Sequence, residues 1–502
     1  MKKYKIFSLL AAATIAFSAC GDDFLTNKPT HSQAAGGDAT AGAIESNLAS
    51  CYQILLFDSY ADNNYNSLVL MSDLRSDDIY KGGGDAGDQG QLYRVSQFDA
   101  TADETLGGLW SIFFRGLSRC NGAIDACNNA VGVDEENLSR MKAEAYFLRA
   151  YYTHWLWKFF GNIPYFDDEL KAPYFAKQIT ADEVYAKIIA DVDAAIAGNL
   201  PMKAAAGREG RATKAAAMML KARVVLYQKD QARYAEVMND MNAIVSSGQY
   251  RLMDNFAGIW LNEGEFCDES IFESNQRPEG KTWSSGWQGY GTNLPAFISP
   301  NGLKDNAPFK GGWGFGPVRT ETYAIYESGD LRRDASINHF ADGTYDARFQ
   351  NTGYFQAKYA AREGYNPPPG DTDLNYDNNL RIFRYAEVLL NIADLAVIQG
   401  TGSTGLSAQA CLDQIRSRAG LSSIPATAEN VKLERRREFV GEGMRFWDLV
   451  RWGDTNILNE NKPDFSTRRT WSDHCKFLPI PQSNINATKG DGEFELKQNP
   501  GY

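Results

Sequence analysis

The chain has 502 residues and carries 51 Lys and Arg against 63 Asp and Glu, a formal net charge of −12. That acidic surplus excludes a protein built to hold nucleic acid, whose phosphates call for clustered Lys and Arg. Hydrophobic residues at 43% and charged residues at 23% exclude a disordered chain, and the length asks for about two or three lobes rather than one core.

Residues 1–19 read as a secretion signal. Lys2, Lys3 and Lys5 precede an apolar run from Ile6 to Phe17, which is too short to span a bilayer as a mature helix. Ser18-Ala19-Cys20 resembles a bacterial lipobox, although Phe17 stands where Leu is usual. The implied product begins at Cys20, is acylated on its sulfur with palmitate-type chains, and is anchored by two or more of them. Ordinary signal cleavage beside an incidental cysteine is the alternative. Residues 20–37 are polar, end in Gly36-Gly37 and suit a tether. None of Cys51, Cys120, Cys127, Cys267, Cys411 and Cys475 falls in a metal-type pattern. Cys120 and Cys127 would lie about 10 Å apart along a helix, too far for a disulfide, so the six are expected to be thiols, mostly buried.

A helical part follows over residues 38–250. Helices are predicted from Thr40 to Phe57, from Ala102 to Ala130 and from Asn137 to Phe160. The last of these (MKAEAYFLRAYYTHWLWKFF) is apolar nearly all round and so must be buried. His154 lies inside it and reads as a core residue rather than a ligand. Further helices are predicted at about 181–197, 211–229 and 231–248. The last two are separated by almost nothing and alternate small with large residues, as a tetratricopeptide-type pair does. Between the first two helices, residues 58–102 are irregular and rich in Asp, Asn and Gly, with Tyr60, Tyr65, Tyr80 and Tyr93 reading as exposed.

Residues 251–380 change character, with Gly, Pro, Asn and aromatics dominating (KTWSSGWQGYGTNLP, FKGGWGFGPVRTETY). A loop-rich lobe of this length is commonly functional. Its share of the chain's 25 Tyr, 27 Phe and 10 Trp argues against disorder. Gly312-Trp313-Gly314-Phe315-Gly316 lacks the preceding strand and following helix of a phosphate loop, and reads instead as a loop presenting Trp313 and Phe315. Asp371, Asp373 and Asn375 have the spacing that opens an EF-hand. Tyr376 and Ile382 replace its essential Gly and Glu, leaving a polar turn or a reduced calcium site; no other cofactor is expected.

Residues 381–502 form the second helical part and tail. Helices are predicted over 380–399 and 406–419, then along VKLERRREFVGEGMRFWDLVRWG at 431–453. There Leu433, Arg437, Val440 and Met444 share one stripe at helical spacing. Glu442 is placed to reach Arg445, and Asp448 to reach Arg451. Arg interleaved with Trp and Phe indicates part-buried ion pairs that lock helices together, rather than a catalytic cluster.

ERRREFVGEGMRFWDLVRWG resembles the C-terminal signature of the SusD/RagB family of outer-membrane nutrient-binding lipoproteins. AEAYFLRAYY with FGNIPY, DLRRDASI, RYAEVLLNIAD and KFLPIPQ resemble further parts of it. The resemblance implies a mainly α, tetratricopeptide-like scaffold on the outer membrane, lipid-anchored and facing outward. The acidic pair Asp22-Asp23 after Cys20 is similar to a surface-export signal of that bacterial group. It also implies capture of an oligosaccharide or polysaccharide, delivery to a TonB-dependent SusC-like transporter, and no enzymatic activity. Sugars bind flat aromatic faces with polar groups beside them. The candidate ligand residues are therefore Trp283, Trp287, Tyr290 and Trp313 in the loop lobe, with Asn293 and Gln288 nearby, and Asp77, Asp78 and Tyr80 in the earlier loop. Two rival readings are a peptide-binding member of the family and a surface glycan hydrolase. No nucleophile elbow or HExxH appears, but a carboxylate pair is set by space rather than by sequence.

Overall fold

A computed structural model describes residues 37–57, 60–61, 64–284 and 291–502. The signal segment, Cys20 and most of the tether therefore lie outside the described residues.

The scaffold is a succession of helices whose starts are written in the sequence. Thr40, Asp134, Thr180, Thr213, Ser407 and Thr427 each cap a helix by accepting a backbone N–H from the first turn. Thr180 and Glu183 form a full capping box. These caps open α1 (Ala41–Gln53), α4 (Glu135–Phe160), α5 (Ala181–Ala197), α6 (Lys214–Gln228), α9 (Ala408–Arg418) and α10 (Ala428–Phe439). Between them come α2 (Leu68–Asp73), α3 (Gly107–Asn128), α7 (Tyr234–Ser246) and α8 (Tyr385–Val397). The last scaffold helix is α11 (Arg445–Trp452).

Neighbours in the chain pack on one another: α3 on α4, α4 on α5, α5 on α6, α6 on α7, then α7 on α8 and α8 on α9. This stacking of pairs is the tetratricopeptide-like, mainly α architecture expected above. α4 runs through the middle, with Phe147, Tyr152, Leu156, Trp157 and Phe159 sealed from solvent. Gly116 shows how closely α3 approaches it. A Cβ there would stand 2.5 Å from the Tyr152 ring, so only glycine lets the two backbones meet.

The loop-rich lobe leaves the scaffold along β1 (Ser270–Ser274) and returns along β2 (Leu380–Arg384). The two pair antiparallel through a bulge, Ser270 opposite Arg384 and Ser274 opposite Leu380. The long excursion is thus closed at its base by one ribbon. Inside it sit two small apolar clusters, one of Ala296, Ala361 and Tyr376 and one of Phe340, Tyr345 and Phe355. Phe297, Ile298, Phe315 and Val318 join the main core.

Two helix expectations are corrected. The stretch 380–399 begins as strand β2 before turning into α8, because Phe383 and its neighbours pair with β1. The stretch 431–453 breaks between α10 and α11 at Val440–Gly443, with Gly441 and Gly443 at φ of 77° and 71°, a left-handed backbone that favours glycine and ends the stripe. Gly453 closes α11 in the same conformation, at φ 80°.

The break re-aims the charges. Asp448 accepts from Arg451 Nε at 2.8 Å as its spacing predicts, and also from Arg435 Nε at 2.7 Å. Glu442 does not reach Arg445; it binds Lys358 at 2.5 Å and Arg384 at 2.7 Å. Arg332, fully buried, meets Asp330, Glu434 and Glu438 at 2.8, 2.5 and 3.2 Å. Arg384 and Arg418 meet Glu438 and Glu269. This network ties the C-terminal helices to the base of the ribbon, because Glu269 precedes β1 and Arg384 ends β2.

Candidate functional site

Above the ribbon, the lobe presents two tryptophans side by side. Trp283 is 41% exposed. Its ring centroid lies 5.8 Å from that of Trp313, with the planes inclined by 31°. Tyr65, reaching over from the earlier irregular stretch, meets Trp313 edge-on at 5.7 Å and Phe297 at 4.7 Å. Phe297 underlies Trp313 at 5.0 Å and belongs to the buried core. The three outer rings therefore form a shallow aromatic shelf backed by the core.

The glycine-rich sequence around Trp313 exists to bring its backbone down. Trp313 N–H donates to the Ala296 carbonyl at 2.7 Å. A Cβ on Gly312 would stand 2.2 Å from that same oxygen. Arg348 Nη1 fixes the Trp313 carbonyl at 2.9 Å.

The acidic turn 371–375 then holds the Trp313 indole and the Trp283 backbone. Asp373 Oδ2 accepts the Trp313 Nε1–H at 3.2 Å, and Asp371 Oδ2 accepts the Trp283 backbone N–H at 2.8 Å. Asn375 spends its amide on the Lys281 and Asp371 carbonyls at 2.8 and 2.7 Å, while its Oδ1 accepts the Lys281 N–H. The turn that has the spacing of an EF-hand opening braces the shelf. Among the described residues no three His, Cys, Asp or Glu converge as a metal site would require. Lys281, two positions before Trp283, is almost fully enclosed, and burial pushes its ammonium down to about 8.

Of the sequence-derived candidates, the structure brings Trp283 and Trp313 together. Trp287 and Tyr290, with Gln288, lie outside the described residues. Asn293 is wholly buried and offers nothing to a surface ligand.

Asp77, Asp78 and Tyr80 are corrected: they belong to the scaffold. Asp77 is gripped by Arg445 at 2.8 Å and Arg436 at 3.1 Å, and Asp78 by Arg436 at 2.7 Å. Burial opposes the charge on Asp77, but these two guanidiniums hold its carboxyl far below the usual carboxylate range. Tyr80 is stacked flat on Phe465 at 4.7 Å, with Arg319 over its ring at 4.3 Å. Sequence spacing could not find these partners, because Asp77 and Arg445 are 368 positions apart. Conversely, Tyr65, Asp371 and Asp373 join the shelf without having been chosen for it. The aromatic-polar composition around Tyr65 was the available signal.

A helical-repeat scaffold carrying a braced aromatic shelf on a loop lobe defines a class of surface-binding protein. Comparison with known sequences and structures gives its family. Residues 273–502 match the family model described as the SusD family, and residues 23–226 match one described as starch-binding associating with outer membrane. Surface glycan-binding protein A from Bacteroides fluxus is 63% identical, over 92% of this chain and 100% of that one, with a TM-score of 0.90. Surface glycan-binding protein A from Bacteroides thetaiotaomicron, solved in complex with laminarihexaose, is 37% identical over the same shares, with a TM-score of 0.86. A laminarin-binding SusD-like protein is 28% identical over 92% of this chain and 100% of that one, with a TM-score of 0.81. The chain belongs to the SusD/RagB family. Among the described residues, no helix is long and apolar enough to cross a membrane.

Proposed function

We infer that this protein captures a glucan of the laminarin type at the outer-membrane surface and delivers it to a TonB-dependent SusC-like transporter. The observation that carries the reading is the shelf of Trp283, Trp313 and Tyr65. The Trp313 indole is held by Asp373 and the Trp283 backbone by Asp371, so the shelf is braced before ligand arrives. Pre-set aromatic faces bind the C–H faces of pyranose rings without a large ordering cost. The 37% identical relative seen with laminarihexaose and the laminarin-binding relative support that glucan over others.

Cys20, after Ser18-Ala19, supplies the membrane anchor in this reading, through its acyl chains in the outer-membrane lipid. C20A should release the protein from the membrane fraction. Retention that survives salt washing would refute the anchor.

Calorimetric titration of the mature protein with laminarihexaose, maltohexaose, cellohexaose and a peptide pool tests the ligand class. Binding confined to laminarihexaose is expected. Binding of peptides alone would transfer the protein to the peptide-binding reading. Release of shorter sugars from laminarihexaose on prolonged incubation would establish a hydrolase.

A further inference from the structure

Between the scaffold helices lies a small cavity, unlike the shelf in chemistry. It has a volume of about 20 Å³ and is lined by α4, α6, α8, α10 and α11 through Trp155, Lys158, Tyr227, Trp447 and Arg451, among others. All five of these side chains are at least nine-tenths buried. Lys158 is caged by the rings of Trp155, Tyr227 and Trp447 at 5.3, 5.1 and 5.1 Å. No carboxylate lies within ion-pairing distance of it among the described residues.

The polar atoms left over at this cavity can all donate. Among the described residues, Trp155 Nε1, Trp447 Nε1, Arg451 Nη1 and the Tyr227 hydroxyl have no hydrogen-bond partner. Buried donors without partners are rare and call for an explanation. The carboxylates at the wall are already engaged. Glu387 takes Arg223 on both oxygens at 2.8 and 2.7 Å. Asp448 takes Arg435 on one oxygen and Arg451 on the other. Asp394, behind the wall, takes Arg451 at 2.7 Å. Four cations (Lys158, Arg223, Arg435, Arg451) thus face three carboxylates, and Lys158 is the cation without a partner acid.

We propose that this cavity is a binding site for a small monovalent anion of the halide class, held by Lys158, Trp155, Trp447, Tyr227 and Arg451 at the junction of the N-terminal and C-terminal helices. The volume admits one water-sized occupant. A water there would leave Lys158 without a counter-charge. An anion needs only donors, and it balances the surplus charge. Burial and the Arg223 charge otherwise push the Lys158 ammonium down to about 7, so an adjacent anion would restore its protonated form.

Crystals of the mature protein grown in sodium bromide and measured at the bromine edge test the site directly. An anomalous peak inside the cavity is expected; an ordered water there without anomalous signal overturns the proposal. In solution, about 0.15 M chloride should raise the melting temperature by about 2 °C over sodium gluconate at equal ionic strength. K158M should erase that difference. Should K158M fail to fold, W155F, which removes a donor and keeps a ring, should shrink the difference. Equal melting temperatures of the parent in the two salts, or a halide effect untouched in W155F, contradict the site.

Discussion

The Trp313 indole N–H donates to Asp373 Oδ2 at 3.2 Å, so the angle of a half-buried ring of the shelf depends on an acid 60 positions away. A bond of this kind, with a charged acceptor, is worth about 1.5–3 kcal/mol when buried and less where water competes. D373A should therefore weaken laminarihexaose binding by roughly three- to tenfold, with a melting temperature near the parent's. Paired titration and thermal scans check it; an affinity equal to the parent's would mean that Trp313 holds its angle without the acid.

Asp448 joins Arg435 of α10 to Arg451 of α11 across the glycine break. Burial opposes its charge, while Arg435 and Arg451 hold it below the usual carboxylate range. D448A leaves two guanidiniums enclosed with one acid fewer, at a cost of about 3–5 kcal/mol. Chemical denaturation should show that loss, and the folded fraction should bind glucan normally. A variant of parental stability that no longer binds would move the site to this helix.

Acid should unfold the protein through the same clusters. Burial opposes the charge of Glu438, yet Arg418, Arg384 and Arg332 hold its carboxyl far below the normal range; Asp77 is lowered likewise by Arg436 and Arg445. A carboxyl with a depressed folded-state pKa adds stability that is complete above its unfolded value of about 4. That stability is lost as the pH falls through the folded value. Melting temperature should hold on the neutral side and fall steeply below about pH 4. In D77N that fall should be shallower, from a lower plateau. An acid limb of unchanged steepness in D77N would remove Asp77 from the account.

Much of the scaffold was legible because its signals are local. Thr180 followed by Glu183 marks a helix start from neighbouring residues alone, and the nearly all-round apolar run of α4 announces burial. What failed was long-range. The pairing of Glu442 with Lys358 and Arg384, rather than with Arg445, depends on a ribbon that joins residues about a hundred positions apart. The break at Gly441 and Gly443 was visible as two glycines, but the helical stripe through Val440 and Met444 overrode them. Asp77 and Asp78 looked like loop ligands because their arginines lie beyond 430. The shelf was half legible: Trp283 and glycine-flanked Trp313 stood out, whereas Tyr65 and the bracing role of Asp371 and Asp373 required the fold.

The central claim is that Trp283 and Trp313 form the sugar-binding face, and calorimetric titration of laminarihexaose into W283A and W313A tests it most directly. A stacking ring in such a site contributes on the order of 1–2 kcal/mol. Each variant should therefore bind about tenfold more weakly. W283A should melt with the parent, since its ring is 41% exposed. Parental affinity in both variants would contradict the account and place the glucan elsewhere on the molecule.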